Sequence, residues 1–202
     1  MAPTKAVRPA DKFDRRRDEL AESALATLGE MGYARASLRE IANNSAFSHG
    51  VVHYYFQDKL ELVIYSVRYY KARCVTRYDS VVSDSRSAGE LVDAFAAKLT
   101  QTIRDEAPMH RLWYDLRTQS MFEPELRGAV TEIDHTLEQM IWRVVSRYAE
   151  LAGRPVALEP AVAYGMLDGL FQSALLGHLG GHATVLTDLA TQVRKVMPLM
   201  LA

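Results

Sequence analysis

Apolar residues recur three and four positions apart along most of this chain, while Gly and Pro are sparse; that spacing lines up one face of a helix. From Phe13 onward the pattern predicts an almost wholly helical chain. A first helix over about residues 15–31 places Leu20, Ala24 and Leu28 on one face, and Gly32 follows as a stop signal. A second, over 37–44, opens on Ser37 with Glu40 three residues on, the spacing of a capping box, and buries Leu38, Ile41 and Ala42. A third runs over 48–55. A fourth starts near Asp58, with Glu61 three residues later, and continues through Leu62, Tyr65, Tyr69 and Ala72 to about residue 82. After a polar break at 83–87 come helices at 88–107, ended by Pro108, and at 109–116. Glu123-Pro124 opens a long one over 125–151, which Gly153 and Pro155 close. Pro160 opens a helix to about 179; Gly177, Gly180 and Gly181 break the chain; the last helix spans 184–199, interrupted at Pro198. The expectation is an all-α protein of about nine helices without internal repeats. Residues 1–57 form an N-terminal arm and a three-helix unit, and 58–202 form a helical bundle.

Composition narrows this picture. A chain of 202 residues holds one large domain or two small ones, and 49% apolar content supports a packed core. No uninterrupted apolar run reaches the roughly 18 residues of a membrane span, and no apolar signal core follows the basic N-terminus. Cys74 is the single cysteine, so no internal disulfide forms. These features point to a cytoplasmic protein without membrane association. The net charge of -1 argues little for nucleic acid, but its distribution is uneven. Lys5, Arg8, Lys12, Arg15, Arg16 and Arg17 face only Asp11 and Asp14 in the first 17 residues. Such an arm either contacts phosphates or merely keeps the terminus solvated.

The stretch 37–59, SLREIANNSAFSHGVVHYYFQDK, carries the sharpest signal. Two short capped helices joined by about three residues, and followed by another helix start, are a helix-turn-helix. The second helix of such a motif enters the major groove near its N-terminal turn. Val52, Tyr55 and Phe56 can pack inward, leaving His49, His53 and Tyr54 outward; Gly50 allows close backbone approach. Val51 suits a thymine methyl, Ser48 and Tyr54 or Tyr55 suit phosphate oxygens, and the first amides of the fourth helix beside Lys59 offer a second anion site.

This stretch resembles the DNA-binding domain of TetR family transcriptional regulators. Ser37, Leu38, Arg39, Glu40, Ile41 and Ala42 follow the family's run. Ser45 to Phe56 follow its turn and recognition helix, and Lys59 and Leu62 match the opening of its fourth helix. The resemblance covers about 45 residues. It implies that Ser48, His49, Val51, His53, Tyr54 and Lys59 sit at DNA, with Ser37 and Arg39 supporting the flanking backbone. Two departures stand out. Ala46 occupies a position usually held by glycine, beside Phe47 in place of valine or isoleucine, so the turn is either less strained or costs about a kilocalorie. His53 stands where tyrosine is usual; histidine can still donate but reaches less far.

The rest of the chain carries no motif of comparable strength. The resemblance implies a small effector and a homodimer for it. His110, Trp113, Tyr114, Phe122 and Trp142, with Met109, Met121, Met140 and Met166, either fill the core or line an adaptable apolar cavity. Arg117, Gln119, His135 and Gln139 are candidate polar anchors. The placing of Trp113, Phe122, Pro124 and Leu126 is similar to the subgroup that includes regulators of choline-to-betaine metabolism, which on its own assigns no ligand. For the dimer, the candidates are Tyr164, Leu167, Asp168, Phe171 and Leu175 on the penultimate helix. Gly165 and Gly169 permit close approach there, and Leu189 and Val193 stand on the last helix. The alternative is that both stripes bury against their own bundle.

Chemistry finds little foothold. No pair among the six histidines forms a His-Glu-x-x-His motif. His49 and His53 could share a metal, but no third ligand lies near in sequence. Cys74 has no histidine near it, and there is no Gly-rich phosphate loop. The expectation is therefore a DNA-binding regulator that is not an enzyme and has no cofactor or resident metal. It binds double-stranded operator DNA and is a repressor released by a small, largely apolar effector. Constitutive or partner-controlled binding, and activation instead of repression, are the alternatives.

Overall fold

The computed structural model describes residues 9–202. Among them are nine α helices, a closing 3-10 turn and no strand: α1 (Pro9–Arg35), α2 (Leu38–Asn43), α3 (His49–Tyr55), α4 (Lys59–Cys74), α5 (Asp79–Asp84), α6 (Ala88–Gln119), α7 (Pro124–Ala152), α8 (Pro160–Leu179) and α9 (Val185–Val196), with the turn at Met197–Met200. No helix of the described residues is long and apolar enough to cross a membrane. The chain forms two compact units, Met1–Lys71 and Ala72–Ala202, so the passage from one to the other falls inside α4. The sequence pattern places that division after residue 57.

The first unit is built on short helices that packing, not propensity, must hold. Six- and seven-residue helices are too short to persist alone in water. Leu20, Ala24 and Leu28 of α1, Ile41 and Ala42 of α2, Val52 of α3, and Phe56, Leu62 and Val63 around the start of α4 are all buried. Below this core, the Arg17 guanidinium stacks between the rings of Phe56 and Tyr65, at 4.6 and 4.4 Å, and pairs with Glu61 at 2.6 Å. Tyr65 donates to Asp18 at 2.7 Å, and burial followed by that carboxylate pushes its pKa up to about 12. Arg17 is thus a structural cation instead of part of a phosphate-seeking arm.

The second unit packs α6, α7, α8 and α9 against one another. Leu91, Phe95, Leu99 and Ile103 of α6, Leu126, Leu137 and Val144 of α7, Leu167 and Leu175 of α8, and Leu189 and Val193 of α9 are buried. The terminal segment is tied back by Arg154, which donates to the carbonyls of Ala202 and Leu201, and by an isolated antiparallel bridge between Val156 and Leu201.

The helix count agrees with the pattern through two compensating differences. The fourth helix stops at Cys74, not near residue 82. Two β-branched residues, Val75 and Thr76, follow it and weaken a continuing helix. Arg143 caps the resulting turn by donating to the Val75 carbonyl and to Asp79, and Arg77 pairs with Glu106 at 2.7 Å. Conversely, the helices expected at 88–107 and 109–116 are one. Pro108 kinks α6, with Glu106 at φ -131°, ψ 24°, because its ring removes one donor and crowds the preceding turn, but the helix resumes.

The stop expected at Gly32 is present: φ 77°, ψ 168° breaks α1 there. That conformation is open almost only to glycine and costs other residues about 1–3 kcal/mol. Gly32→Ala is therefore expected to destabilise the protein by about that amount. The check is a urea unfolding series, in which the midpoint falls at constant slope. An unmoved midpoint would show that the backbone relaxes without cost.

Candidate nucleic-acid interface

Helix α2 begins on a complete capping box. The Glu40 amide donates to Ser37 Oγ at 3.2 Å, and the Ser37 amide and hydroxyl both donate to Glu40 Oε2 at 2.9 Å. The Ser37 hydroxyl is committed to this cap, while Arg39 remains exposed. The turn that follows uses no left-handed residue. Among the described residues no non-glycine has positive φ. Ser45 shapes the turn instead: its hydroxyl donates to the Ala42 carbonyl at 3.0 Å and accepts from the Phe47 amide at 3.1 Å. Of the two alternatives for Ala46, the unstrained one applies. The enlarged Phe47 lies under the Arg16 guanidinium, 4.5 Å from its ring centre.

Ser48 caps α3 by accepting from the Val51 amide at 3.4 Å. Val52 is fully buried and Phe56 nearly so, and this fixes the roll of the helix. His49, Gly50, His53 and Tyr54 face solvent; Val51 and Tyr55 are half-buried. Tyr54 is 73% exposed. It makes edge contacts with Tyr55 and with Phe13 of α1, at 4.9 and 6.3 Å between centroids. A side chain placed at Gly50 would meet nothing within 4 Å. The outer face of α3 is therefore a shallow, open row of polar rings around a bare backbone.

The start of α4 is partly occupied. The Glu61 amide donates to Asp58 Oδ1, and the Gln57 amide to Glu61 Oε2, both at 2.8 Å, so side-chain carboxylates already occupy these donors. Lys59 lies half-buried with its ammonium over the Tyr33 ring at 4.2 Å. Of the basic arm, Lys5 and Arg8 lie outside the described residues, Arg16 pairs with Glu19, and Arg17 is structural.

In the second unit the expected effector residues divide. His110 and Trp113 are buried, with the His110 ring edge-on to Phe171 at 4.9 Å. Tyr114 and Arg117 enter a network that sequence spacing does not reveal. Arg117 donates to Asp168 at 2.6 Å and lies 3.3 Å from Asp134; Tyr114 donates to Asp168 at 2.8 Å; Tyr164 donates to Asp134 at 2.7 Å. Burial, then the Asp168 charge, pushes both tyrosines far above the usual phenol range, so they remain donors. Burial lowers the Arg117 pKa, but Asp168 and then Asp134 outweigh it and raise it. Trp142 is half-buried. Phe122, His135 and Gln139 are on the outside: Phe122, in the reversal between α6 and α7, is 77% exposed, and His135 and Gln139 bond each other at 2.9 Å. None of these three lines an interior, because the inward face of α7 is taken by Leu126, Ile133, Leu137 and Met140.

The stripe expected at a dimer interface also needs correction. Leu167, Phe171, Leu175, Leu189 and Val193 are buried in their own bundle, and Tyr164 and Asp168 belong to the polar network. Only Gly169 is open. A second stripe on α8, Val162, Gly165, Gly169, Leu176 and Leu179, is the exposed one, and a Cβ at Gly165 or Gly169 would meet nothing within 4 Å.

A capped helix pair that presents a polar, open second helix defines a helix-turn-helix DNA-binding protein. Residues 20–65 match the family model described as bacterial regulatory proteins, tetR family. The chain is 26% identical over 166 residues to the HTH-type transcriptional regulator BetI of Serratia proteamaculans (strain 568), covering 80% of this chain and 82% of that protein. It is 29% identical over 170 residues to BetI of Burkholderia mallei (strain NCTC 10229), covering 82% and 83%. Among solved structures it resembles a TetR transcription regulator from Haloarcula marismortui ATCC 43049 (TM-score 0.75, 16% identity, 94% of this chain and 100% of that one). It also resembles the regulator FadR from Bacillus subtilis in complex with stearoyl-CoA (0.70, 17%, 89% and 96%). A third is a regulator from Saccharomonospora viridis in complex with choline (0.69, 18%, 93% and 98%). Residues 20–65 thus carry a DNA-binding domain of the TetR type, and most of the chain is similar to transcriptional regulators.

Proposed function

We propose that this regulator is a repressor that grips its operator as a homodimer and is released by a small, largely apolar effector held in the second unit. The observation that carries the DNA side of this reading is the two-faced α3. Val52 and Phe56 anchor it inward, and His49, Gly50, His53 and Tyr54 stand outward. His49 and Val51 read base edges, while Tyr54, Ser48, Arg39 and Lys59 grip phosphates; the Ser48 hydroxyl accepts in its cap and keeps its proton for donation. Ser37 supports this surface by shaping α2 instead of contacting DNA. Lys59→Ala is expected to weaken binding to every duplex and to lower the salt slope by about one. The measurement is a titration series against a duplex selected from a random pool. An unchanged slope removes Lys59 from the phosphate contacts.

One helix-turn-helix reads only a half-site, so a symmetric pair is required for a paired operator. The exposed α8 stripe supports that pairing, since glycines at 165 and 169 let a second helix approach closely. Gly169→Trp is expected to give monomers in sedimentation and to abolish operator binding through steric bulk at the crossing. A tryptophan variant that remains dimeric and tight moves the interface elsewhere.

Release requires a ligand with different affinity for two arrangements of the DNA-binding units. The aromatic cluster of His110, Trp113 and Tyr114, with Arg117 beside the last two, supports an effector site. Two proteins of this fold hold chemically unlike ligands, stearoyl-CoA and choline. Helix α4 is the proposed lever, since it opens at Lys59 and crosses the division between the units. An effector found by tryptophan quenching is expected to lose its quench in Trp113→Phe and to lower operator affinity at saturation. Equal affinity with and without every bound ligand would leave a constitutive regulator.

A further inference from the structure

Two histidines one helical turn apart stand on the outer face of α3. Residues four apart on a helix are side-by-side neighbours. The rings of His49 and His53 have centroids 4.4 Å apart and planes inclined at 75°. Both side chains are exposed, and among the described residues neither has a hydrogen-bond or ion-pair partner that would hold a ring nitrogen. We propose that His49 and His53 chelate a divalent transition-metal ion, Cu2+ or Ni2+ by preference, and that the ion and DNA exclude each other on this face.

The distance supports the chelate. With metal–nitrogen bonds of about 2.0–2.1 Å, a metal in line with a ring nitrogen lies roughly 3.2 Å from the ring centre. Two such rings at a right angle about the metal have centroids about 4.5 Å apart, and at the tetrahedral angle about 5.2 Å apart. The observed 4.4 Å is within reach of the right-angled arrangement once the rings turn a nitrogen each toward a common ion. Right-angled nitrogen pairs suit the square-planar or tetragonal preference of Cu2+ and Ni2+ more than tetrahedral Zn2+, and Cu2+ is also the strongest binder in the divalent series. Among the described residues no group of three or more His, Cys, Asp or Glu could hold a metal, so water completes the shell. Such a site binds reversibly and signals; it is not a folding or catalytic centre.

The exclusion rests on the reading that α3 enters the major groove. A bound ion and its waters would stand where the base edges come. It would also occupy ring nitrogens that His49 and His53 otherwise offer to DNA, while the bare backbone at Gly50 leaves nothing to shield the site. Binding must then be antagonistic in both directions, since linkage is reciprocal.

The test uses the full chain without an affinity tag. Cu2+ is added at one equivalent and its electron paramagnetic resonance is recorded; Ni2+ affinity is measured by calorimetry. The wild type is expected to show two equatorial nitrogens. His49→Gln and His53→Gln should each lose that signature and bind Ni2+ on the order of a hundredfold more weakly, because removing one arm of a chelate removes an intramolecular second bond. His182→Gln should retain both. A two-nitrogen signal that survives in both α3 variants overturns the chelate. For the exclusion, a duplex that the protein binds is compared with a scrambled duplex of the same composition, which takes up free metal equally. Only the bound duplex should remove the two-nitrogen signal; persistence of that signal in the complex overturns the exclusion. Loss of the signature with intact DNA binding refutes the metal site alone. A normal signature with no duplex bound refutes the DNA reading, and the exclusion with it.

Discussion

The outward face of α3 depends on how one seven-residue helix is rolled. A helix that short cannot hold itself, so the burial of Val52 and Phe56 against the first unit's core does the holding. His49 and His53, four residues apart, lie side by side on the helix, and both remain exposed while Val52 is buried. The cap at Ser48 sets where the helix begins, and Phe56, already extended, sets where it ends. The exposed side chains touch one another and Phe13, but the helix that displays them is held by a buried apolar residue.

That arrangement explains why the first unit was so legible in sequence. Its elements are bounded by local chemistry: a capping box at Ser37, a cap at Ser48, a glycine at 32 that adopts a conformation few other residues allow. Local chemistry is written in local sequence. The errors in this unit are also local. The Ser37 hydroxyl was assigned to DNA support when its cap consumes it, and of the α4 amides assigned to an anion that of Glu61 is bonded to Asp58. In each case a polar group had two plausible partners and the nearer one won.

The second unit was legible as a bundle and poorly legible as a site. Helix ends there are decided by more distant contacts. Arg143 reaches back to the turn after α4, and α6 passes through Pro108 because the helices around it bury both halves. The polar network of Arg117, Asp134, Asp168, Tyr114 and Tyr164 joins three helices and leaves no periodic trace. Tyr114 and Arg117 looked like effector candidates and Tyr164 and Asp168 like dimer candidates, and Asp134 drew no notice. The geometry gives them one role. A cation shared by two carboxylates, each also bonded to a tyrosine, satisfies groups that would be costly to leave unpaired in a packed interior. A partly buried ion pair of this kind is weak support for stability, and here it links α6, α7 and α8.

The misplaced dimer stripe has the most general cause. Apolar periodicity reports that a helix face is removed from water, not what removes it. Helix α8 is apolar on most of its circumference, so its sequence contains two candidate stripes. The larger side chains, Leu167, Phe171 and Leu175, stood out and were taken for the interface. A bundle without bulky residues at its centre would leave voids, so those side chains are the ones it must claim for itself. The face left over is marked by glycines, whose value lies in the room they leave and not in the area they bury. Where a helix has both a bulky stripe and a stripe punctuated by glycines, the bulky one belongs inside, and the other is where a second copy can come close.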